Sequence, residues 1–243
     1  MSTLNGGPGN IVTNGLVLYL DAANYLSYTS GSTTWRDLTP NNLSGSLING
    51  PTFNSGNAGS IVFDGTNDYC IFSSSTIPPT ASWTYSSFFN FNTLAIGGVL
   101  YGQYIAVSSN GRFLIRLSDD LNNANKFSLF LGSGGSYNNA FLYTNTTASI
   151  NTTYNLTITR ENQTFNLYVN GVYNTGSIVN FTASLLQTSP IIGGRTNSGT
   201  NPTPVQTDFL NGRIFTTQIY NRTLSATEVL QNYNAQKTRF GLT

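Results

Sequence analysis

Asn155-Leu156-Thr157-Ile158-Thr159-Arg160-Glu161-Asn162-Gln163-Thr164-Phe165-Asn166-Leu167-Tyr168-Val169-Asn170-Gly171 decides the fold class. Successive strand side chains point to opposite faces, so Leu156 and Ile158 share one face of the first run. Phe165, Leu167 and Val169 answer them on one face of the second. Glu161-Asn162-Gln163 makes the hairpin between them, and Asn170-Gly171 turns the chain again. A helix would need apolar residues every three to four positions, and neither run has that period.

The same grammar extends in both directions. Leu16–Leu20, Ser60–Phe63, Tyr69–Phe72 and Ser82–Phe91 read as strands. Gly98–Tyr101, Tyr104–Val107, Arg112–Leu117 and Lys126–Leu131 read as a meander, with Asn110-Gly111 as a hairpin turn, and Leu210–Tyr220 as the last strand. Gly132–Asn139 and the Pro/Gly/Asn/Thr-rich Thr196–Thr207 read as loops. Short strands punctuated by Gly, Asn and Ser mark a β-sandwich or barrel. One helix is expected near the end. Ser225 can cap it, Glu228 can complete a capping box, and Val229, Leu230 and Tyr233 would offer the apolar stripe. Residues 1–14, rich in Gly, Pro and Asn, read as a flexible arm, and 15–243 as one domain.

Composition narrows function. The chain has 243 residues, enough for one large sandwich that buries roughly 70% of its unfolded surface without staples. Only 8% of residues are charged and the net charge is +1, so no basic stripe is available for nucleic acid. No apolar run approaches the ~20 residues that span a bilayer. The first residues, Met1–Gly9, lack a basic n-region and an apolar h-region, so a chain made in a host cytoplasm without a signal peptide is expected. Cys70, the single cysteine, reads as a small buried hydrophobe, and Trp35 and Trp83 as core residues.

Four ordered stretches carry a resemblance: Gly15-Leu16-Val17-Leu18-Tyr19-Leu20-Asp21-Ala22 with Trp35-Arg36-Asp37-Leu38, Gly59–Tyr69, Phe165–Gly171, and Phe209–Ile214 leading into Ile219–Ser225. Together they resemble the laminin-G-like branch of the concanavalin A-like lectin/glucanase superfamily. The resemblance implies an all-β, two-sheet antiparallel jelly-roll sandwich with one short C-terminal helix. It also implies a role of the kind such domains play in tailed-bacteriophage structural proteins: a surface capsid decoration or tail-associated protein, in contact with other virion subunits or with itself. A bacterial cell-surface or secreted carbohydrate-binding module is the alternative.

Enzymes of that superfamily place paired carboxylates in a Glu-x-Asp-x-x-Glu run, and this chain has none. Its only glutamates are Glu161, in a hairpin, and Glu228, at a helix start. There is no histidine, which removes the commonest general base and zinc ligand. The expectation is therefore a non-enzyme. Asp119-Asp120 is a carboxylate pair, but neighbours on a strand point apart. For glycan contact the candidates are Tyr137, Asn138 and Asn139 in one loop, and Arg195 and Asn197 at another, because sugars need an aromatic face beside amide or charged groups. Calcium is the one metal left open. Asp64, Asn67 and Asp68 offer oxygens within one turn, and Asp208 can join them; the same turn also satisfies itself by bonding its own backbone.

Overall fold

A computed structural model of the chain describes residues 10–77, 82–94, 98–105, 111–118, 120–133, 138–179, 189–195 and 208–243. The chain opens with β1 (Leu16–Asp21), β2 (Thr34–Trp35), β3 (Gly45–Ile48), β4 (Thr52–Asn54), β5 (Ser60–Asp64) and β6 (Tyr69–Phe72). It continues through β7 (Ser82–Phe91), β8 (Val99–Ile105), β9 (Gly111–Leu117), β10 (Lys126–Ser133) and β11 (Asn138–Thr147). The last strands are β12 (Tyr154–Glu161), β13 (Thr164–Val169), β14 (Val172–Ile178), β15 (Ile191–Ile192) and β16 (Asn211–Tyr220), followed by α1 (Ala226–Gln236).

Among the described residues these strands form two antiparallel sheets. Sheet A runs β14-β13-β12-β7-β16-β5-β4, and sheet B runs β11-β10-β9-β8-β15-β6-β3-β2. Strand β16 is shared along its length: Asn211–Ile214 pair with β5, and Thr216–Tyr220 pair with β1. The inner faces meet in one core that includes Trp35, Phe63, Trp83, Phe89, Phe113 and Phe127, with Leu156, Ile158, Phe165, Leu167 and Val169 from the opening hairpin. Cys70 is buried in that core, and burial pushes its thiol pKa upward. The expected all-β jelly-roll sandwich with one short C-terminal helix is what the chain adopts.

Several local expectations need correction. Residues 10–14 are not a free arm, because Ile11 and Val12 are buried. The Val12 N–H donates to Asn232 Oδ1 (2.8 Å), Asn232 Nδ2 donates to the Tyr220 hydroxyl (2.9 Å), and that hydroxyl donates to Val12 O (2.9 Å). The ring of bonds ties this segment to α1 and β16, and residues 1–9 lie outside the described set. Gly98–Tyr101 and Tyr104–Val107 are not separate strands. One strand, β8, carries through Gly102, where a Cβ would lie 2.6 Å from Gly194 O, so the glycine marks the close approach of the chain after β15. Val107 and Asn110 lie outside the described residues. Gly132 and Ser133 still pair with Asn139 and Asn138, so the expected 132–139 loop is shorter than read. Ladder bonds use the backbone, and small polar side chains do not oppose them.

The helix begins as expected. The Glu228 N–H donates to Ser225 Oγ, and the Ser225 N–H donates back to Glu228 Oε2. Its buried face differs: Leu230 is 42% exposed, while Val229, Asn232, Tyr233 and Gln236 are buried. These four stand at i, i+3, i+4 and i+7 on one side of a helix, which Leu230 leaves by a 100° step. The contact surface is part polar, so Asn232 replaces the leucine there. Tyr233 stacks with Phe88 (6.1 Å, 6°), covering the outer face of sheet A.

Arg222 grips the same Glu228 through its two terminal guanidinium nitrogens, at 2.6 and 3.0 Å. The Arg222 hydrogen bond leads the causes that hold the Glu228 carboxyl down at about 2. A depressed carboxyl contributes stability above its ordinary pKa, and loses it as pH falls from about 4.5 through 2. Gln can still serve the capping box, so Glu228→Gln isolates the ion pair. Urea unfolding at pH 6 should show the variant about 1–2 kcal/mol less stable, screening included, with the gap closing by pH 2. An unchanged gap across that window would refute the linkage.

Candidate functional site

The chain crosses from sheet B to sheet A between β3 and β4 through Asn49-Gly50-Pro51. Asn49 and Gly50 both have positive φ, +66° and +102°, which a glycine and an asparagine tolerate best. Opposite them the segment Tyr28–Thr33 turns at Gly31 (φ +85°) and is fixed at both ends. The Tyr28 N–H donates to Asn24 O (2.9 Å), and the Leu47 N–H donates to Thr33 O (2.8 Å). Next to Tyr28, Ser27 Oγ donates to Arg36 O (2.6 Å).

These two segments enclose a cleft of about 520 Å³. Its apolar wall is Tyr28, Leu47, Pro51 and Phe53, and the Tyr28 and Phe53 rings lie 5.5 Å apart at 31°. Its polar lining is Ser30, Ser32, Thr33, Thr52 and Asn49, of which Ser32 Oγ is engaged with Thr34, donating to its carbonyl (3.0 Å) and accepting its N–H (3.1 Å). No atom lies within 4 Å of where a Cβ would stand on Gly31 or Gly50, so both backbones face open space. Burial pushes the Tyr28 phenol pKa upward, which keeps it neutral. Tyr28 is 5% exposed and packs in the core, so the half-buried Phe53 ring, beside neutral donors and acceptors, is the apolar face that a sugar can meet there.

Those of the residues picked from sequence that are described do not line the cleft. Tyr137 and Asn197 fall outside the described residues. Asn138 and Asn139 open β11, at one edge of sheet B. Arg195 follows β15, four strand positions away in the same sheet, so the structure does not gather these candidates into one site. Arg195 is also engaged: its Nε pairs with Asp208 Oδ2, and both side chains are largely buried.

That ion pair holds Asp208 on Arg195, whereas the sequence reading let it join the Asp64–Asp68 turn. Within the turn Asp64 Oδ1 accepts the Thr66 N–H (2.7 Å) and the Asn67 N–H (3.3 Å), and Asp68 Oδ2 accepts the Asp64 N–H (3.2 Å). Burial alone would raise the Asp64 carboxyl, but those backbone donors hold it below its ordinary value. Burial and the Asp64 charge push Asp68 the other way. Asn67 O accepts Asn49 Nδ2 (2.8 Å), which ties the turn to the cleft. No cluster of three or more His, Cys, Asp or Glu side chains occurs among the described residues. Asp119 lies outside them. Asp120 caps a single 3-10 turn by accepting the Asn122 N–H (2.9 Å).

The sequence reading passed over the cleft, because Tyr28 and Phe53 are distant in sequence and sit in stretches without alternation. The one local signal was Asn49-Gly50, a turn pair that looks like any other connection.

The family model of the concanavalin A-like lectin/glucanases superfamily, Laminin_G_3, matches residues 64–230, over two thirds of the chain. No curated protein sequence matches the chain. Among solved structures, Trypanosoma rangeli sialidase superposes with a TM-score of 0.68 at 17% identity, covering 95% of this chain and 34% of that one. Domain 4 of AbnA, a GH43 extracellular arabinanase from Geobacillus stearothermophilus in complex with arabinotriose, gives 0.65 at 15% identity, covering 90% and 98%. The binding domain of Paraclostridial Mosquitocidal Protein 1 gives 0.64 at 19% identity, covering 91% and 52%. The chain thus spans about a third of the sialidase and about half of the toxin binding domain. At these identities the likeness is one of fold.

Proposed function

The chain belongs to the concanavalin A-like lectin/glucanases superfamily, and from that membership we propose a non-enzymatic, lectin-like module that binds glycan. The observation that carries the proposal is the cleft, where the half-buried Phe53 stands over Tyr28 beside the neutral polar residues Ser30, Thr33, Thr52 and Asn49. Its volume of about 520 Å³ falls in the ~300–1,000 Å³ range of small-molecule sites. The arabinotriose complex of the arabinanase domain supports the same reading by fold analogy.

Catalysis is disfavoured on chemical grounds. The chain contains no histidine. A glycosidase acid needs a raised carboxyl pKa; Glu228 is held down at about 2 by Arg222 and the helix cap, and Asp68, which burial raises, accepts the Asp64 N–H and does not line the cleft. Glu161 is exposed at the end of β12. A glycan array read with calcium and with EDTA tests binding and the calcium alternative together. Retention of glycan without release of reducing sugar is the expected result. Steady hydrolysis by the wild type would overturn the non-enzymatic part.

The carrier we infer is the surface of a tailed-bacteriophage virion. An 8% charged, Asn/Thr/Ser-rich chain supports this, as does the sheet-edge strand β14, whose exposed Val172, Tyr173 and Ile178 suit contact with a neighbouring subunit. Mass spectrometry of purified particles should find the chain. Its absence from intact virions would favour the cell-surface or secreted adhesion module.

A further inference from the structure

We propose that the Tyr28–Phe53 cleft accepts uncharged sugar residues and rejects acidic ones. The inference deepens the glycan-binding reading and rests on it. Among the described residues the cleft walls contain no Lys, Arg, Asp or Glu side chain; every polar group on them is a hydroxyl, an amide or backbone. Ser32 Oγ is held on the Thr34 backbone, but hydroxyls such as those of Ser30, Thr33 and Thr52 can each donate and accept, as sugar hydroxyls do, so a neutral ring exchanges its water bonds for equivalent ones. A sialic or uronic acid would bring a carboxylate into the same space. That group would shed hydration with no cation to replace it, and buried charges persist only when paired.

The surroundings act in the same direction. The Asn49 side chain, which lines the cleft, donates to Asn67 O in the Asp64–Asp68 turn. Backbone donors keep the Asp64 carboxylate charged in that turn. The turn tethered to the cleft wall thus brings no cation to an incoming carboxylate. Arg195, the cation picked from the sequence for ligand contact, is held by Asp208.

Thr52 is the residue with which to test this. It is exposed, lines the cleft, and lies on the sheet-edge strand β4, where Trp and Arg are tolerated. Titrations of the full chain would use two neutral probes, arabinotriose and maltotriose, and two acidic ones, 3′-sialyllactose and trigalacturonate, after a neutral and acidic glycan array. The wild type should bind a neutral probe or a neutral array glycan and favour it over the acidic ones by about tenfold or more. Thr52→Trp, which fills the cleft, should lose that binding by more than about tenfold. Thr52→Arg should gain about tenfold for an acidic probe, because it supplies the missing cation. Circular dichroism melting of each variant separates a blocked site from an unfolded chain. Neutral binding that survives Thr52→Trp in full would overturn the cleft assignment and leave glycan binding standing. Acidic binding equal to neutral and sensitive to Thr52→Trp would overturn the discrimination alone. No binding of any glycan by the folded wild type would overturn the parent reading as well.

Discussion

Trp83→Ala should lower the unfolding free energy by about 3–5 kcal/mol, the usual cost of emptying a buried aromatic site. Trp83 lies on β7, which sits between β12 and β16 in sheet A, and its side chain is fully buried. Its indole meets Phe113 of sheet B edge-on (5.4 Å, 81°) and Phe165 of β13 (6.1 Å, 68°). One side chain therefore joins both sheets and the neighbouring hairpin, so truncation leaves a cavity that well-paired strands cannot collapse into. The indole N–H finds no acceptor among the described residues, so Trp83→Phe forfeits volume and no hydrogen bond. It should cost about 1–2 kcal/mol. Urea unfolding of the three proteins decides the matter. A loss under 1 kcal/mol for the alanine variant would mean that Trp83 does not hold the sheets together.

Trp83 was legible in the sequence because its strand is long and aromatic, and the same holds for most of the core. Tyr69–Phe72, Ser82–Phe91 and Thr164–Val169 match their strands end for end, since each carries enough apolar side chains to fix a face. The capping box was legible for a different reason: it is local chemistry, complete within four residues. What failed to show were elements whose partners lie far along the chain. β2, β4 and β15 are two or three residues long and exist only because a neighbouring strand offers a ladder. β14 is exposed along much of its length and carries no apolar alternation to read. The burial of Ile11 and Val12 depends on Ala235 and Asn232, more than two hundred residues later.

The candidate site followed the same rule in sharper form. Tyr28 and Phe53 meet because the chain passes between sheets at Asn49-Gly50-Pro51, and no periodicity encodes that meeting. Loop composition pointed to Tyr137 and to Arg195 because Asn, Tyr and Arg are versatile ligands in general. It could not register that Arg195 would be taken by Asp208. The acidic turn was better read, because Asx bonding is as local as a helix cap: Asp64 bonds the N–H groups of Thr66 and Asn67.

Arg239→Ala should cost about 2–4 kcal/mol, the next largest loss, because it empties a three-way junction. The guanidinium donates to Asp21 Oδ1 (2.7 Å), Asn57 O (2.9 Å) and Gly59 O (2.9 Å). It thereby joins the C-terminus to the end of β1 and to the turn before β5. The Arg239 and Asp21 side chains are only 18% and 13% exposed, so water cannot fully replace the lost donors. Lysine is a point charge that reaches one or two of the three acceptors, so Arg239→Lys should recover only part of the loss. A double-mutant cycle with Asp21→Asn should return a coupling of about 1–3 kcal/mol. Full recovery by lysine would reduce the junction to a simple charge effect, and a loss under 0.5 kcal/mol for alanine would refute it. The junction also bears on the cleft, since the Asp21 N–H donates to Ser27 Oγ (3.1 Å) beside Tyr28. Loosening Asp21 should therefore weaken glycan binding before it unfolds the chain. Titrations of Arg239→Ala well below its melting temperature test that order of events, and unchanged affinity there would show that the loop holds Tyr28 without the junction.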